Sequence, residues 1–284
     1  MKILLVVVGL LAATNAREIK HDIVTDYHNV IGIPLAEKIK QSESAMDFDG
    51  SRIIGGSAAG LGAHPHLGGL VIRLTTGATS VCGSSLLSNT RLVTAAHCWR
   101  TSGAQANQFT VVLGSTFLFS GGTRIVTNQV EMHASYNMNN LNNDVAIIRI
   151  NHVNFSNIIG RINMATGSNQ FVGTWATAAG FGATSDSQQG IPSNTSKRQV
   201  NMMVIANNVC ASSYASNIVI ASTLCTDTAR GTASTCGGDS GGPLSASNQL
   251  IGITSFGSAR GCQSGAPAGF ARVTSFAAWM NARL

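Results

Sequence analysis

The decapeptide TCGGDSGGPL, residues 235–244, surrounds one hydroxyl group with glycines. Ser240 follows a carboxylate at Asp239, and Cys236 lies four residues upstream of it. A serine becomes a useful nucleophile when its backbone holds it outward, a base takes its proton and donors face the developing oxyanion. The backbone N–H groups of Gly238 and Ser240 are candidates for those donors. By itself the pattern also fits a glycine-rich loop closed by a disulfide. The other motifs of the chain are therefore needed to distinguish the two interpretations.

Two further motifs occur upstream: TAAHC at residues 94–98 and DVAIIRI from Asp144. Together with GDSGGP around Ser240, they resemble the chymotrypsin family of serine endopeptidases, and within it the digestive chymotrypsins of lepidopteran-type insects. The chain order His97, Asp144, Ser240 is that of the family and differs from the order in subtilisins and α/β-hydrolases. The resemblance extends from Ile53 to the C-terminus, about four fifths of the chain.

The resemblance implies a division of labour among three side chains. Ser240 would attack the substrate carbonyl, His97 would carry the proton to the leaving amine, and Asp144 would hold the imidazole tautomer. TAAHC places His97 beside a cysteine whose cross-link can fix the ring, and Asp144 precedes an apolar strand pattern, where a carboxylate needs a partner. The alternatives are an ordinary core or surface histidine and an aspartate that caps a turn.

The N-terminal part differs in composition from the rest. Residues 1–16 combine a lysine, a short apolar run and a small-residue triplet, which predicts a secretory signal cleaved after Ala16. Residues 17–52 hold seven acidic residues, five basic residues and no cysteine, and they end at Arg52 before IIGG. We interpret them as an activation propeptide and residues 53–284 as the peptidase domain.

The resemblance implies a switch at the Arg52–Ile53 bond. Cleavage there would free the α-amine of Ile53, which would fold inward and pair with Asp239. Before cleavage that carboxylate lacks its cationic partner, so the chain would be made inactive. Since the propeptide contains no cysteine, nothing covalent would retain it after cleavage. The alternative is a flexible linker that ends in a chance basic residue.

Substrate preference is predicted from Ser234, which the resemblance places at the floor of the pocket for the side chain before the cleaved bond. Trypsin-like members carry aspartate there, because a buried cationic side chain needs a counter-charge. We therefore expect cleavage after large apolar or aromatic residues, and activation at Arg52 by a separate trypsin-like protease. Phenylalanine and alanine replace a usual tryptophan and a common glycine in the pocket walls, which are Ser255, Phe256, Gly257 and Ala268.

Short apolar or alternating runs between turn signals recur after Ile53, for example at residues 67–74 and 249–256. In this part of the chain no long helical period occurs before residues 274–283. With the resemblance, this predicts an all-β fold of two antiparallel six-stranded β-barrels packed together, with a C-terminal α-helix. Sequence alone allows 15 pairings of six cysteines. The resemblance selects Cys82–Cys98, Cys210–Cys225 and Cys236–Cys262.

The composition indicates where the protein acts and which classes of partner it binds. The even cysteine count and the predicted signal indicate a secreted, extracellular protein. Lys197 is the one lysine among twelve basic residues after Ile53, against five acids there. Arginine keeps its charge at a pH where lysine loses it, so this pattern suits an alkaline gut lumen, with compositional drift as the alternative. The bases are scattered, which argues against nucleic acid, and the N-terminal apolar run is too short to span a membrane.

We expect no cofactor and no metal. Glu131 is the one acid between His97 and Asp144, which is too few ligands for calcium, and the cysteine spacing does not match a zinc finger. The expected partners are protein or peptide substrates, the activating protease and protein protease inhibitors, with the enzyme itself a monomer. Asn154 and Asn194 begin acceptor sequons that are also compatible with plain polar loops. The alternative function is a secreted, non-catalytic protease homologue that acts as a binding protein.

Overall fold

A computed structural model of the chain describes residues 20–44, 57–186 and 197–284. The predicted signal peptide, the Arg52–Ile53 bond and Asn194 lie outside these residues. Within the described ranges, no helix is long and apolar enough to cross a membrane.

The short strand β1 (Ser57–Ala58) is followed by seven strands that form one antiparallel sheet. They are β2 (Leu67–Leu74), β3 (Thr79–Ser88), β4 (Arg91–Thr94), β5 (Ala106–Leu113), β6 (Thr123–Thr127), β7 (Val130–Met132) and β8 (Ala146–Arg149). Their spatial order is β6-β5-β2-β3-β4-β8-β7. Leu70, Phe109 and Ile147 are fully buried in the core that this sheet encloses, as expected of the apolar, strand-forming residues in the sequence pattern.

The second half of the molecule contains seven more strands. They are β9 (Asn163–Met164), β10 (Trp175–Gly180), β11 (Arg198–Ile205), β12 (Thr223–Thr226), β13 (Pro243–Ala246), β14 (Gln249–Phe256) and β15 (Ala268–Arg272). Six of these strands close into an antiparallel barrel in the order β10-β13-β14-β15-β12-β11, because β11 pairs with both β12 and β10. β1 pairs with β11, and β9 runs parallel to β14.

Within the described ranges, three α-helices accompany the strands: α1 (Ile33–Ser44), α2 (Asn207–Ser213) and α3 (Val273–Asn281). α1 follows a π-helical turn at His28–Gly32 and belongs to the segment ahead of the predicted cleavage site. α3 buries Phe276 and Met280 in the core of the first sheet. The predicted terminal helix and its packing role are therefore confirmed.

The predicted all-β fold is confirmed as one closed six-stranded barrel, a seven-stranded sheet and a terminal helix. The seven-stranded sheet is not closed among the described strands, since β6 and β7 each pair with one neighbour. The two halves pack together, with Val81 and Val112 of the first in one apolar cluster with Ala179 and Phe181 of the second. The disulfide pairs are those that the resemblance implied: Cys82–Cys98, Cys210–Cys225 and Cys236–Cys262.

Candidate active site

His97 lies shortly after β4, in a 3₁₀ turn formed by Ala96–Cys98. The Cys82–Cys98 disulfide ties this turn to β3, which restricts the position of the imidazole. Asp144 lies two residues before β8, after Asn143, which adopts a left-handed conformation with a φ of 56°. Nδ1 of His97 is 2.7 Å from Oδ2 of Asp144, and the backbone N–H of His97 donates to Oδ1 over 2.8 Å. This pairing favours the tautomer in which Nε2 is free to accept a proton.

A third donor reaches Asp144 from the other half of the molecule. The hydroxyl of Ser255, on β14, donates to Oδ2 over 2.6 Å. His97 and Asp144 are each only 1% exposed, so these charge-assisted hydrogen bonds offset the cost of burying the carboxylate. The sequence placed Ser255 in a pocket wall and gave no sign of this bond, which joins residues 111 positions apart.

The loop that carries Ser240 is shaped by glycines. Gly238 and Gly241 have φ values of 95° and 77°, which residues with a side chain rarely adopt. The backbone N–H of Gly83, on β3, donates to the carbonyl of Ser240 over 2.7 Å and fixes the loop against the first sheet. The N–H of Gly238 donates to the phenol oxygen of Tyr27 over 3.2 Å, so this predicted oxyanion donor already has a partner from the segment 20–44.

The structure brings the predicted catalytic residues together but leaves one contact unmade. Ser240 and His97 line the same cavity, of about 360 Å³. Nε2 of His97 is buried and has no hydrogen-bond partner among the described residues, so the bond that would pass the proton from Ser240 is not formed in this state. Ser240 is only 8% exposed, because residues of the segment 20–44 also line this cavity.

Asp239 faces away from this cavity toward a second one of about 240 Å³ that Gly182 and Arg198 also line. Its carboxylate accepts the backbone N–H groups of Gly182 over 2.9 Å and Cys236 over 3.0 Å. Burial raises the pKa of Asp239 to about 6, although these two hydrogen bonds and the positive charge of Arg198 oppose the rise. Burial therefore outweighs the two hydrogen bonds and the nearby guanidinium, and the carboxyl of Asp239 is harder to ionise than a solvated one.

The predicted pocket residues all line the cavity beside His97 and Ser240. They are Ser234, Ser255, Phe256, Gly257 and Ala268. The Ser234 hydroxyl donates to the carbonyl of its neighbour Thr235 over 2.9 Å, so this lining group is neutral and already satisfied. A Cβ on Gly269 would lie 2.3 Å from the ring of Phe256, so the close packing of this aromatic wall depends on a glycine there.

One acid in the cavity lining was not anticipated. Asp186 is exposed, and its carboxylate accepts the backbone N–H groups of Cys262 over 2.7 Å and Gln263 over 2.9 Å. These bonds hold it at the Cys236–Cys262 disulfide. The two groups of side chains with metal-like spacing within the described ranges each include a disulfide pair, whose sulfurs are not available as thiolate ligands.

Comparisons with known proteins agree with this geometry. A family model described as Trypsin matches residues 53–280. The chain is 38% identical to "Collagenase" of Hypoderma lineatum over 243 residues, which is 84% of this chain and 89% of the relative. It is 35% identical to "Serine protease 1" of Drosophila melanogaster over 81% of this chain and 84% of the relative. A solved structure of HL collagenase superposes with a TM-score of 0.74 and 37% identity, over 81% of this chain and 98% of that one.

Proposed function

Because the chain belongs to the trypsin family of serine proteases, we propose that it is a secreted endopeptidase, made as an inactive zymogen, that cleaves after large apolar or aromatic residues. The observation that carries this proposal is the buried His97–Asp144 pair, with a 2.7 Å contact, in the same cavity as Ser240 and the neutral Ser234. Digestion of protein in an extracellular, alkaline gut lumen is the setting that the arginine-rich composition favours.

Catalysis follows from the placement of these groups. Ser240 Oγ attacks the substrate carbonyl carbon while Nε2 of His97 takes the hydroxyl proton, and the imidazolium is stabilised by Asp144. The N–H groups of Gly238 and Ser240 donate to the oxyanion of the tetrahedral intermediate. His97 then gives the proton to the leaving amine, and water hydrolyses the acyl-enzyme by the same route.

Activation is proposed to require cleavage of the Arg52–Ile53 bond by a trypsin-like protease. The new α-amine of Ile53 would enter the cavity beside Asp239 and add a positive charge to that of Arg198, which alone does not offset the burial of this carboxyl. Support comes from the raised pKa of that carboxyl and from the position of Asp239 next to Ser240, since an ion pair there stabilises the loop that carries both oxyanion donors. The protein is proposed to act as a monomer without a cofactor and to meet protein inhibitors in its compartment.

The test is a fluorophosphonate probe applied to protein cleaved at Arg52, with Ser240→Ala as the matched control. We expect the wild-type protein to be labelled and the variant to lose labelling and on the order of 10⁶-fold in kcat. Cleavage of a peptide library then identifies the preferred residue before the cleaved bond. We expect phenylalanine, tyrosine, tryptophan, leucine or methionine rather than lysine or arginine. Cleaved protein that stays unlabelled would favour the alternative of a non-catalytic binding protein.

A further inference from the structure

The segment 20–44 lies across the candidate active site and is named here the covering segment. Its first residues pair with the chain just after β14, the strand whose end forms part of the pocket wall. Ile23 forms an antiparallel bridge with Ser258, and the N–H of Ala259 donates to the carbonyl of Asp22 over 2.7 Å. The covering segment therefore adds backbone pairing directly after Gly257, at the edge of the cavity.

Tyr27 of the covering segment contacts the catalytic groups themselves. It is 4% exposed, and its ring packs edge-on against the imidazole of His97 with a centroid distance of 4.9 Å. Its hydroxyl donates to the carbonyl of Val81 over 2.8 Å and accepts from Gly238 N over 3.2 Å. The phenol oxygen thus occupies the position that a substrate oxyanion would take when it accepts the Gly238 N–H.

The helical part of the covering segment packs on the loop that carries the nucleophile. A Cβ on Gly237 would lie 2.6 Å from Ile31, and one on Gly238 would lie 2.6 Å from Leu35, so these side chains lie directly on the glycine turn. Leu35 also belongs to a buried cluster with Ile39 and core residues of both halves. The contact is apolar and buried, as in a specific interface.

The far end of α1 is held by a charged contact. The carboxylate of Glu43 accepts the backbone N–H groups of Leu118 over 2.6 Å and Phe119 over 2.8 Å. The covering segment is thus fixed at its start, at Tyr27 and at its end. None of these contacts involves the Arg52–Ile53 bond, and the propeptide contains no cysteine.

We propose that the covering segment is an inhibitor of the processed protein that remains bound non-covalently after cleavage. The Tyr27 phenol stays on the Gly238 N–H, and activity appears when the segment dissociates. This inference rests on the proposed function, because inhibition requires an enzyme. Activity is then limited in two ways: by the absence of the free Ile53 amine before cleavage and by the bound covering segment after it. The two restraints are separable, since cleavage removes one and dissociation removes the other.

The test uses the full chain with a site for a selective protease. Asp49→Ile, Gly50→Glu and Ser51→Gly create Ile-Glu-Gly-Arg ahead of Ile53, so that cleavage frees the native amine and leaves Lys38 and Lys40 intact. Specific activity on a small chromogenic peptide is then followed across a dilution series, and size-exclusion chromatography measures whether the covering segment elutes with the processed protein. We expect co-elution at high concentration and specific activity that rises on dilution.

Variants of the covering segment identify the contacts. Tyr27→Ala should weaken its binding by about 30-fold or more, and Tyr27→Phe, which keeps the ring, by roughly threefold to tenfold. Glu43→Gln should weaken binding by about tenfold, while Glu37→Gln, which removes the same charge from an exposed position of α1, should leave it unchanged.

Three results would overturn the inference: a measurable specific activity that does not depend on dilution, a covering segment that separates at every concentration, or equal binding by the Tyr27→Ala variant. Co-elution that depends on Tyr27 in a processed protein that hydrolyses no peptide would support the docking and refute the proposed endopeptidase. The failure of the inference is thus distinguishable from the failure of the proposed function.

Discussion

Asp144 and Asp239 are the two acids assigned to the site around Ser240, the proposed nucleophile, and their surroundings differ. Asp144 accepts three hydrogen bonds, two from His97 and one from Ser255, and is 1% exposed. Asp239 accepts two backbone N–H groups and borders a cavity of about 240 Å³. The first acid has three hydrogen-bond donors, whereas the two N–H groups and the positive charge of Arg198 leave the pKa of the second acid raised by burial.

Under the proposed activation, this difference distinguishes the part of the site that folding alone forms from the part that cleavage would complete. The imidazole and its carboxylate are already aligned, so cleavage has no need to build that part of the site. The carboxyl of Asp239, with a pKa raised by burial, gains the most from a nearby ammonium group. Regulation is therefore expected to act on the oxyanion side of the site, where the covering segment also binds.

Asp144→Asn should have the largest effect on the processed enzyme. The amide can donate to Nδ1 and so stabilises the wrong imidazole tautomer, and kcat should fall by on the order of 10⁴-fold with little change in KM. Steady-state kinetics on a peptide substrate measure this, with circular dichroism to verify the fold. A variant that keeps more than about a tenth of wild-type kcat would contradict the assigned role of Asp144.

Asp239→Asn should have the next largest effect, and only after processing. Without a carboxylate the Ile53 amine loses its partner, and the activity gained on cleavage should fall by about 100-fold or more. The exposed acid Asp227 provides the control, since Asp227→Asn should be activated normally. Full activation of the Asp239→Asn variant would show that the second acid is not the activation switch.

The same variant tests the raised pKa of Asp239 in the uncleaved chain. The folded state holds the proton up to about pH 6, while the unfolded state releases it near 3.8, so the free energy of unfolding should fall as pH rises between these values. The loss is about 2 kcal/mol after allowance for solvent screening. Denaturant unfolding of the two proteins at a series of pH values should show this fall in the wild type alone; parallel curves would refute it.

Much of the site could be predicted from the sequence because its parts are short and local. TAAHC contains both the imidazole and the cysteine that anchors it, and the loop from Cys236 to Gly242 contains the proposed nucleophile, both proposed oxyanion donors and Asp239. The strand runs 67–74 and 249–256 match β2 and β14 at both ends. In each case one continuous segment determines its own conformation.

Contacts between segments that are distant along the chain could not be predicted from the sequence. The bond from Gly238 to Tyr27 joins residues 211 positions apart, and no motif marks a tyrosine that binds an oxyanion donor. Leu35 and Ile39 lie on the buried face of α1, a helix that was not predicted, and periodicity would identify no partner for such a face. The open edge of the seven-stranded sheet likewise depends on pairing partners rather than on local sequence.

Ser234→Asp would introduce a third carboxylate, in the pocket lining, and so extend the comparison between Asp144 and Asp239. An uncompensated charge in the pocket lining should favour cationic substrates, raising kcat/KM for arginine relative to phenylalanine by about 30-fold, the effect of a charge pair worth about 2 kcal/mol. Because the chain carries its own Arg52, this variant should also mature without added protease. Ser234→Asn, which adds similar volume without charge, is the control; equal behaviour of the two variants would remove Ser234 from the specificity determinants.

Ser255→Ala should have the smallest effect, because it removes one of the three donors to Asp144 and leaves His97 in place. A hydrogen bond to a charged group is worth about 1.5 kcal/mol or more, so kcat should fall by roughly tenfold. Ser245→Ala removes a hydroxyl that donates to the carbonyl of Thr177, away from Asp144, and should leave kcat unchanged. If both substitutions act alike, the third hydrogen bond is a packing contact and Asp144 depends on His97 alone; if Ser255→Ala approaches the effect of Asp144→Asn, the carboxylate is held mainly from the second half of the molecule.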